Sequence, residues 1–190
     1  MAARIHSVDP RAERVRAKLR DAAFAMAHER PVDQLTVSDI VHRAGVSRQA
    51  FYQHFLDRDD AIAYAFAVAF ASATANVDED PRTRIVALFD FAAEHRAMYR
   101  NVVPSVVTLR VLAAFRAELE PACEQIAAEA RSVDGGDLPR GSVAGFLVGG
   151  FVEVLRSWMD DDEATDLHGR VTAALDTVEV LLGLSAPAHP

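Results

Sequence analysis

Leu35-Thr36-Val37-Ser38-Asp39-Ile40-Val41-His42-Arg43-Ala44-Gly45-Val46-Ser47-Arg48-Gln49-Ala50-Phe51-Tyr52-Gln53-His54-Phe55 is the stretch that decides the fold. Thr36 is placed to cap a helix by accepting the N–H of residue 38 or 39, and Asp39 to return the bond as a short capping box. Val37, Ile40, Val41 and Ala44 then share one apolar face at helical spacing. Gly45 supplies the left-handed residue that ends this helix. Val46 is expected to be buried in the turn, and Ser47 caps a second short helix whose apolar side is Ala50, Phe51 and Phe55. Two short helices joined by a tight turn containing Gly make a helix-turn-helix unit. Arg48, Gln49, Tyr52 and His54 are left on its exposed side, and all four can donate hydrogen bonds. Arg can read guanine bidentately, Gln can read adenine, and Ala50 can touch a thymine methyl. A plain helical hairpin with a polar surface has the same outline.

The chain on either side is helical by pattern, rich in Ala, Leu, Glu and Arg with short β-branched runs. Helices are predicted near 11–29, 37–43, 48–54, 58–76, 82–94, 96–102, 105–131, 140–159 and 163–183, about nine in an all-α chain. Pro31 ends the first. Pro81 and Pro104 stand at helix starts, where a missing N–H costs little. Asp134-Gly135-Gly136-Asp137 reads as a loop with Pro139 opening the next helix. Pro121 falls inside the longest predicted helix and should kink or split it. Ser185–Pro190 reads as a disordered tail.

The string Gly-Val-Ser followed by Phe-Tyr-x-His-Phe resembles the TetR family of bacterial regulators, as do Leu19, Ala22-Ala23, Phe24 and Met26 upstream and Asp57-Arg58-Asp59-Asp60 downstream. Pro-Val-Asp-Gln-Leu-Thr-Val with Phe-Tyr-Gln-His-Phe is similar to the branch that includes the DhaS-like regulators, as is the Gly-Gly-Phe-x-x-x-Leu-Arg-Ser-Trp run ending at Trp158. Departures are Pro31 for a frequent Gly, Ala27 for Phe, Arg58 for Lys, and Ala61 for Leu with Ile62 beside it. The resemblance implies a three-helix DNA-binding domain over 11–71 and a helical ligand-binding and dimerisation domain over 72–190. It implies that Thr36, Ser47, Tyr52, His54 and Arg58 touch phosphate, that Arg48 and Gln49 reach base edges, and that Arg43 does either. Phosphate contacts set register and base contacts carry sequence. For His54 a structural hydrogen bond to nearby backbone is the alternative role.

In the C-terminal part, Val143, Phe146, Leu147, Val148, Phe151, Val154 and Leu155, then Val171, Leu175, Val178, Leu181 and Leu182, make two helices apolar on many sides. Such a helix is buried on two sides. The resemblance implies that these last two helices pair with a second copy as a homodimer. Gly145, Gly149 and Gly150 lie in the first of them, marking either close packing inside one subunit or an interface. Phe89, His95, Met98, Tyr99, Phe115, Phe146 and Trp158 are candidate ligand contacts, each equally readable as core. As a set they suit a small, mostly apolar effector.

Net charge is −8, but it is uneven. Residues 1–56 hold 9 Lys+Arg against 6 Asp+Glu, while 57–190 hold 11 against 22, a mildly basic head on an acidic body. Phosphate attracts the first and repels the second. No uninterrupted apolar run reaches the roughly 18 residues of a membrane span, Ala61–Ala75 coming nearest, and Met1–Pro10 lacks the core of a signal peptide. One cysteine, Cys123, makes neither an internal disulfide nor a thiolate cage. No membrane partner and a cytoplasmic location are the expectation. An enzyme is not expected, nor any cofactor or metal. There is no Gly-rich phosphate loop and no His-Glu-x-x-His, and His6, His28, His42, His54, His95, His168 and His189 are scattered. Cys123 lies between Glu120 and Glu124, which raise a thiol pKa. Asp160-Asp161-Asp162-Glu163 reads as a solvated helix N-terminus. A DNA-binding regulator acting as a repressor is therefore the reading. An activator, or an interaction protein that kept the scaffold without binding DNA, is the alternative.

Overall fold

The computed structural model describes residues 9–75, 77, 80–130 and 139–184. They hold α1 (Pro10–Glu29), a 3-10 turn at Val32–Gln34, α2 (Val37–Ala44), α3 (Arg48–Tyr52), α4 (Arg58–Thr74), α5 (Pro81–Glu94), α6 (Arg96–Val102), α7 (Thr108–Glu129), α8 (Arg140–Asp160) and α9 (Leu167–Leu181), and no strand among the described residues. The predicted 131–138 loop and the 185–190 tail lie outside them.

The chain divides into two units. One runs to Val68 and takes in Ala97–Val111; the other holds Ala69–Arg96 and the chain from Leu112 on. In the first, α1, α2 and α3 pack on one another over Leu19, Ala23, Ile40, Phe51 and Phe55. Asp9 caps α1 through the Arg11 N–H, with Pro10 in its first turn. Arg30 ends it in extended backbone, the conformation a following proline favours. The positions that depart from the family pattern are filled: Ala27, Ala61 and Ile62 are all fully buried. Hydrogen bonds from Asn101 and Ser105 help tie residues 97–111 to this unit. Asn101 Nδ2 donates to the Ala27 carbonyl at 2.9 Å, and Ser105 Oγ to Asp33 Oδ1 at 2.6 Å.

In the second unit, α9 packs on α5 and α8. Asp80 caps α5 by accepting from Thr83, with Pro81 in the first turn. The core holds Phe70, Phe89, Phe115, Phe151, Trp158, Val171 and Leu175. α7 runs unbroken through Pro121. The proline removes the bond its N–H would give Ala117, but both residues lie on the exposed side of the helix, where the freed carbonyl meets water. The acidic run is not a helix start. α8 extends to Asp160, and α9 begins at Leu167, capped by Asp166 accepting from the Gly169 N–H at 2.7 Å. The intervening turn is held by Arg96, whose guanidinium donates to the carbonyls of Trp158 (3.0 Å), Asp161 (2.5 Å) and Ala164.

By length and composition α8 is apolar enough to cross a membrane. One side of it nevertheless packs into the second unit through Ala144, Leu147, Phe151 and Leu155, and Glu153, Arg156 and Asp160 form an exposed ion-pair ladder on another. A side packed into protein and a charged ladder suit a core helix rather than a span. The stripe of glycines on α8 is not packed inside the subunit: a Cβ at Gly145, Gly149 or Gly150 would meet nothing within 4 Å.

Candidate nucleic-acid interface

α2 is eight residues long and α3 five, too short to hold themselves, since isolated helices need roughly 12–15 residues. Their ends are fixed instead. Thr36 Oγ1 accepts the Asp39 N–H at 3.2 Å, and Asp39 Oδ2 accepts the Thr36 N–H at 2.9 Å, closing the capping box. The Thr36 hydroxyl and then the Thr36 N–H, both donating to Asp39 Oδ2, hold the Asp39 carboxyl below its ordinary range, and Arg30 adds an ion pair at 3.2 Å. Gly45 takes φ +65°, the left-handed residue at the end of α2. Ser47 Oγ accepts the Ala50 N–H at 3.1 Å. Phe51 and Phe55 are core residues. Val46 is half-buried, less covered than the sequence predicts, and α3 stops at Tyr52, two residues early, with Gln53 and His54 in the following turn.

Three side chains around α3 are left with open donors. Gln49 is exposed, Tyr52 is 60% exposed, and His54 is half-buried against Phe55. None of the three has a side-chain hydrogen-bond partner among the described residues. For His54 this leaves out the local backbone bond that was its alternative role. Ser47 keeps its hydroxyl proton.

The other four are engaged. The Thr36 hydroxyl donates to Asp39. Arg43 pairs with Glu29 at 2.6 Å, which lowers the Glu29 pKa and raises that of Arg43; both are exposed, where solvent screens the pair, so the hold on the Arg43 cation is weak. Arg48 donates from Nη2 to Ser38 Oγ. Arg58 is committed inside the unit. Its Nε bonds Asp59 at 2.7 Å, and its Nη1 bonds the carbonyls of Asp33 and Leu35, both at 3.2 Å. It thus clamps the loop before α2 onto the start of α4. Sequence reasoning missed Ser38, which stands between the two capping residues, and the anchors Asn101 and Ser105, which carry no local signal.

The seven ligand candidates are not gathered together. Phe89 and Phe115 stand 5.5 Å apart in an aromatic cluster of the second unit with Phe70 and Phe151. Trp158 is buried under the Arg96 guanidinium, 4.2 Å from its ring, and its Nε1 has no hydrogen-bond partner. His95 stacks on Phe91 at 4.1 Å. Met98 and Tyr99 belong to the first unit, Tyr99 beside Phe66. Phe146 is 74% exposed. A cleft of about 360 Å³ between α7 and α8 is lined by Arg116, Glu120, Glu124, Gly141, Ala144, Gly145 and Val148, none of the seven. Cys123 is buried, and burial, reinforced by Glu120, pushes its thiol up to about 12. No group of three or more His, Cys, Asp or Glu that could hold a metal exists among the described residues.

No curated protein matches the chain in sequence. Solved structures of similar fold include the dihydroxyacetone kinase operon activator DhaS (15% identity, TM-score 0.63, covering 90% of this chain and 97% of that one). A TetR transcriptional regulator from Streptococcus agalactiae 2603V is similar too (17%, 0.62, 90% and 96%), as is tylp, a tetR regulator from Streptomyces fradiae (19%, 0.59, 94% and 90%). The model of bacterial regulatory proteins of the tetR family matches residues 19–63, the span holding most of α1, all of α2 and α3, and the start of α4. The chain thus carries the helix-turn-helix domain of the tetR family of bacterial regulatory proteins.

Proposed function

We propose that the chain is a homodimeric repressor that grips a roughly palindromic double-stranded DNA operator with two copies of α3 and releases it on binding a small, mostly apolar effector. One observation carries this reading: Arg48, Gln49 and Tyr52 face solvent from a helix capped by Ser47 and seated on the buried Phe51. Arg48 and Gln49 reach base edges. Ser47, Tyr52 and His54 touch phosphate, with Thr36 and Arg43 flanking them, and Arg58 acts by shaping the loop before α2. Dimerisation is supported by Phe146, Val180 and Leu181, all at least 66% exposed on α8 and α9, beside the uncovered glycines of α8. Two recognition helices enter successive major grooves when roughly 34–36 Å apart. An effector that favours another spacing lowers DNA affinity by a reciprocal coupling of about 1–3 kcal/mol. The buried aromatic cluster and the unpartnered Trp158 N–H support an apolar effector carrying one hydrogen-bond acceptor. Such a protein works in the cytoplasm, with the DNA. Activation is the second reading, since one structure of similar fold is named an operon activator.

Selection of bound fragments from random DNA, with light scattering on the same sample, tests the proposal. Two inverted half-sites about one turn apart and about twice the 20.7 kDa chain mass are expected. A monomer, or a pool without enriched sequence, would overturn it. A reporter driven from the selected site then separates repression from activation.

A further inference from the structure

Of the two side chains proposed to reach base edges, one is held and the other is loose. Arg48 opens α3 and donates from Nη2 to Ser38 Oγ; Gln49 has no such brace. Ser38 is itself fixed. It lies in the first turn of α2, between Thr36 and Asp39, whose capping box pins that turn and is tied by Arg30 to the end of α1. An arginine side chain carries much rotamer entropy, which a base contact must otherwise overcome. A hydroxyl that accepts one of the five guanidinium donors fixes the plane and leaves four for a bidentate contact.

We infer that Ser38 is a positioning residue for sequence discrimination: it holds Arg48 aligned for a guanine edge. This rests on the reading of α3 as a DNA reader and deepens it. Ser38 reads nothing itself. It sets how sharply Arg48 reads.

The test uses the full-length protein, the site selected above, that site with each base pair changed in turn, and random duplex DNA. Ser38→Ala should lower the preference for the selected site by about three- to tenfold, within the range of coupled neighbours. The loss should fall at the base pair where Arg48→Ala also loses preference, with affinity for random DNA changed less than about twofold. Ser38→Thr, which keeps the acceptor, should restore the preference. In the Arg48→Ala background, Ser38→Ala should cost no further discrimination. Equal losses on selected and random DNA would overturn the inference by making Ser38 a plain phosphate contact, and so would losses that add to those of Arg48→Ala. A wild-type protein that selects no sequence would instead sink the reading on which the inference rests. The melting temperature of Ser38→Ala, expected to match wild type, shows that any loss is not one of folding.

Discussion

The α2–α3 pair and the α8–α9 pair stay folded by different means. α2 and α3 have 13 residues between them, and three of their four ends are fixed by local features: α2 by Thr36 Oγ1, Asp39 Oδ2 and the left-handed Gly45, the start of α3 by Ser47 Oγ. α8 is 21 residues long and starts at Pro139 with no side-chain cap at all. It is held by area, through Leu147, Phe151, Val152, Leu155 and Trp158. Where single atoms hold a structure, single substitutions break it. Where area holds it, many sequences serve. The reader is therefore the part in which a short string identifies a family, and the body is the part free to vary.

The largest expected effect sets Phe51 against Phe146. Phe51→Ala empties a fully buried site and should cost about 3–5 kcal/mol, abolishing DNA binding in a gel shift. Phe146→Ala removes a ring that is 74% exposed and should change subunit stability by less than about 0.5 kcal/mol while shifting light scattering toward monomer. Equal unfolding midpoints for the two in urea would dissolve the contrast.

Glycine to alanine should next give opposite signs. At Gly45 the backbone sits at φ +65°, and a side chain there costs about 1–2 kcal/mol. At Gly149 the new methyl meets nothing within 4 Å, and helix propensity favours alanine by about 0.8–1 kcal/mol. Urea unfolding at low protein concentration should show one variant weakened and the other strengthened. A weakened Gly149→Ala would put that glycine under an intramolecular constraint absent from the structure.

What was legible follows the same division. Caps act within three or four residues, so Thr36, Asp39, Gly45 and Ser47 declared α2 and α3 directly. Contacts between distant segments leave no local trace, which is why Asn101 and Ser105 gave no sign of joining 97–111 to the first unit, and why nothing in the sequence around Arg58, read there as a phosphate contact, announced its bonds to the loop before α2. The start of α9 was misplaced because Asp161, Asp162 and Asp166 are all competent caps. Arg96, 60 and more residues away in sequence, holds the backbone of the 158–164 turn and leaves the start to Asp166. Phe89, Phe115 and Trp158 are buried while Phe146 is exposed, and periodicity could not say which aromatic residues share a neighbourhood: Met98 and Tyr99 fall in a different unit from Phe89 and Phe115.

The smallest expected effect is one of pH. Thr36 holds the folded Asp39 carboxyl below its ordinary value. A depressed carboxyl stabilises fully above the unfolded value and loses that contribution as pH falls through the folded one. The box should therefore contribute fully above about pH 4 and lose that contribution progressively as the pH falls further, toward the lowered value of the folded carboxyl. Circular dichroism should show an acid limb that flattens in Asp39→Asn; an unchanged limb would assign it to other carboxylates.

Cys123 turns the body into its own stopwatch. It is the chain's one thiol, sealed within the second unit, and burial holds its proton, so the native protein is expected to react only slowly with alkylating reagents. Each labelling event then records an excursion that lifts α7 away from its neighbours. A cysteine introduced at an exposed position such as Gln53 would react at once, without first removing the native one. Comparing the slow clock at Cys123 in free and DNA-bound protein would show whether holding an operator quiets a helix that belongs to the other unit.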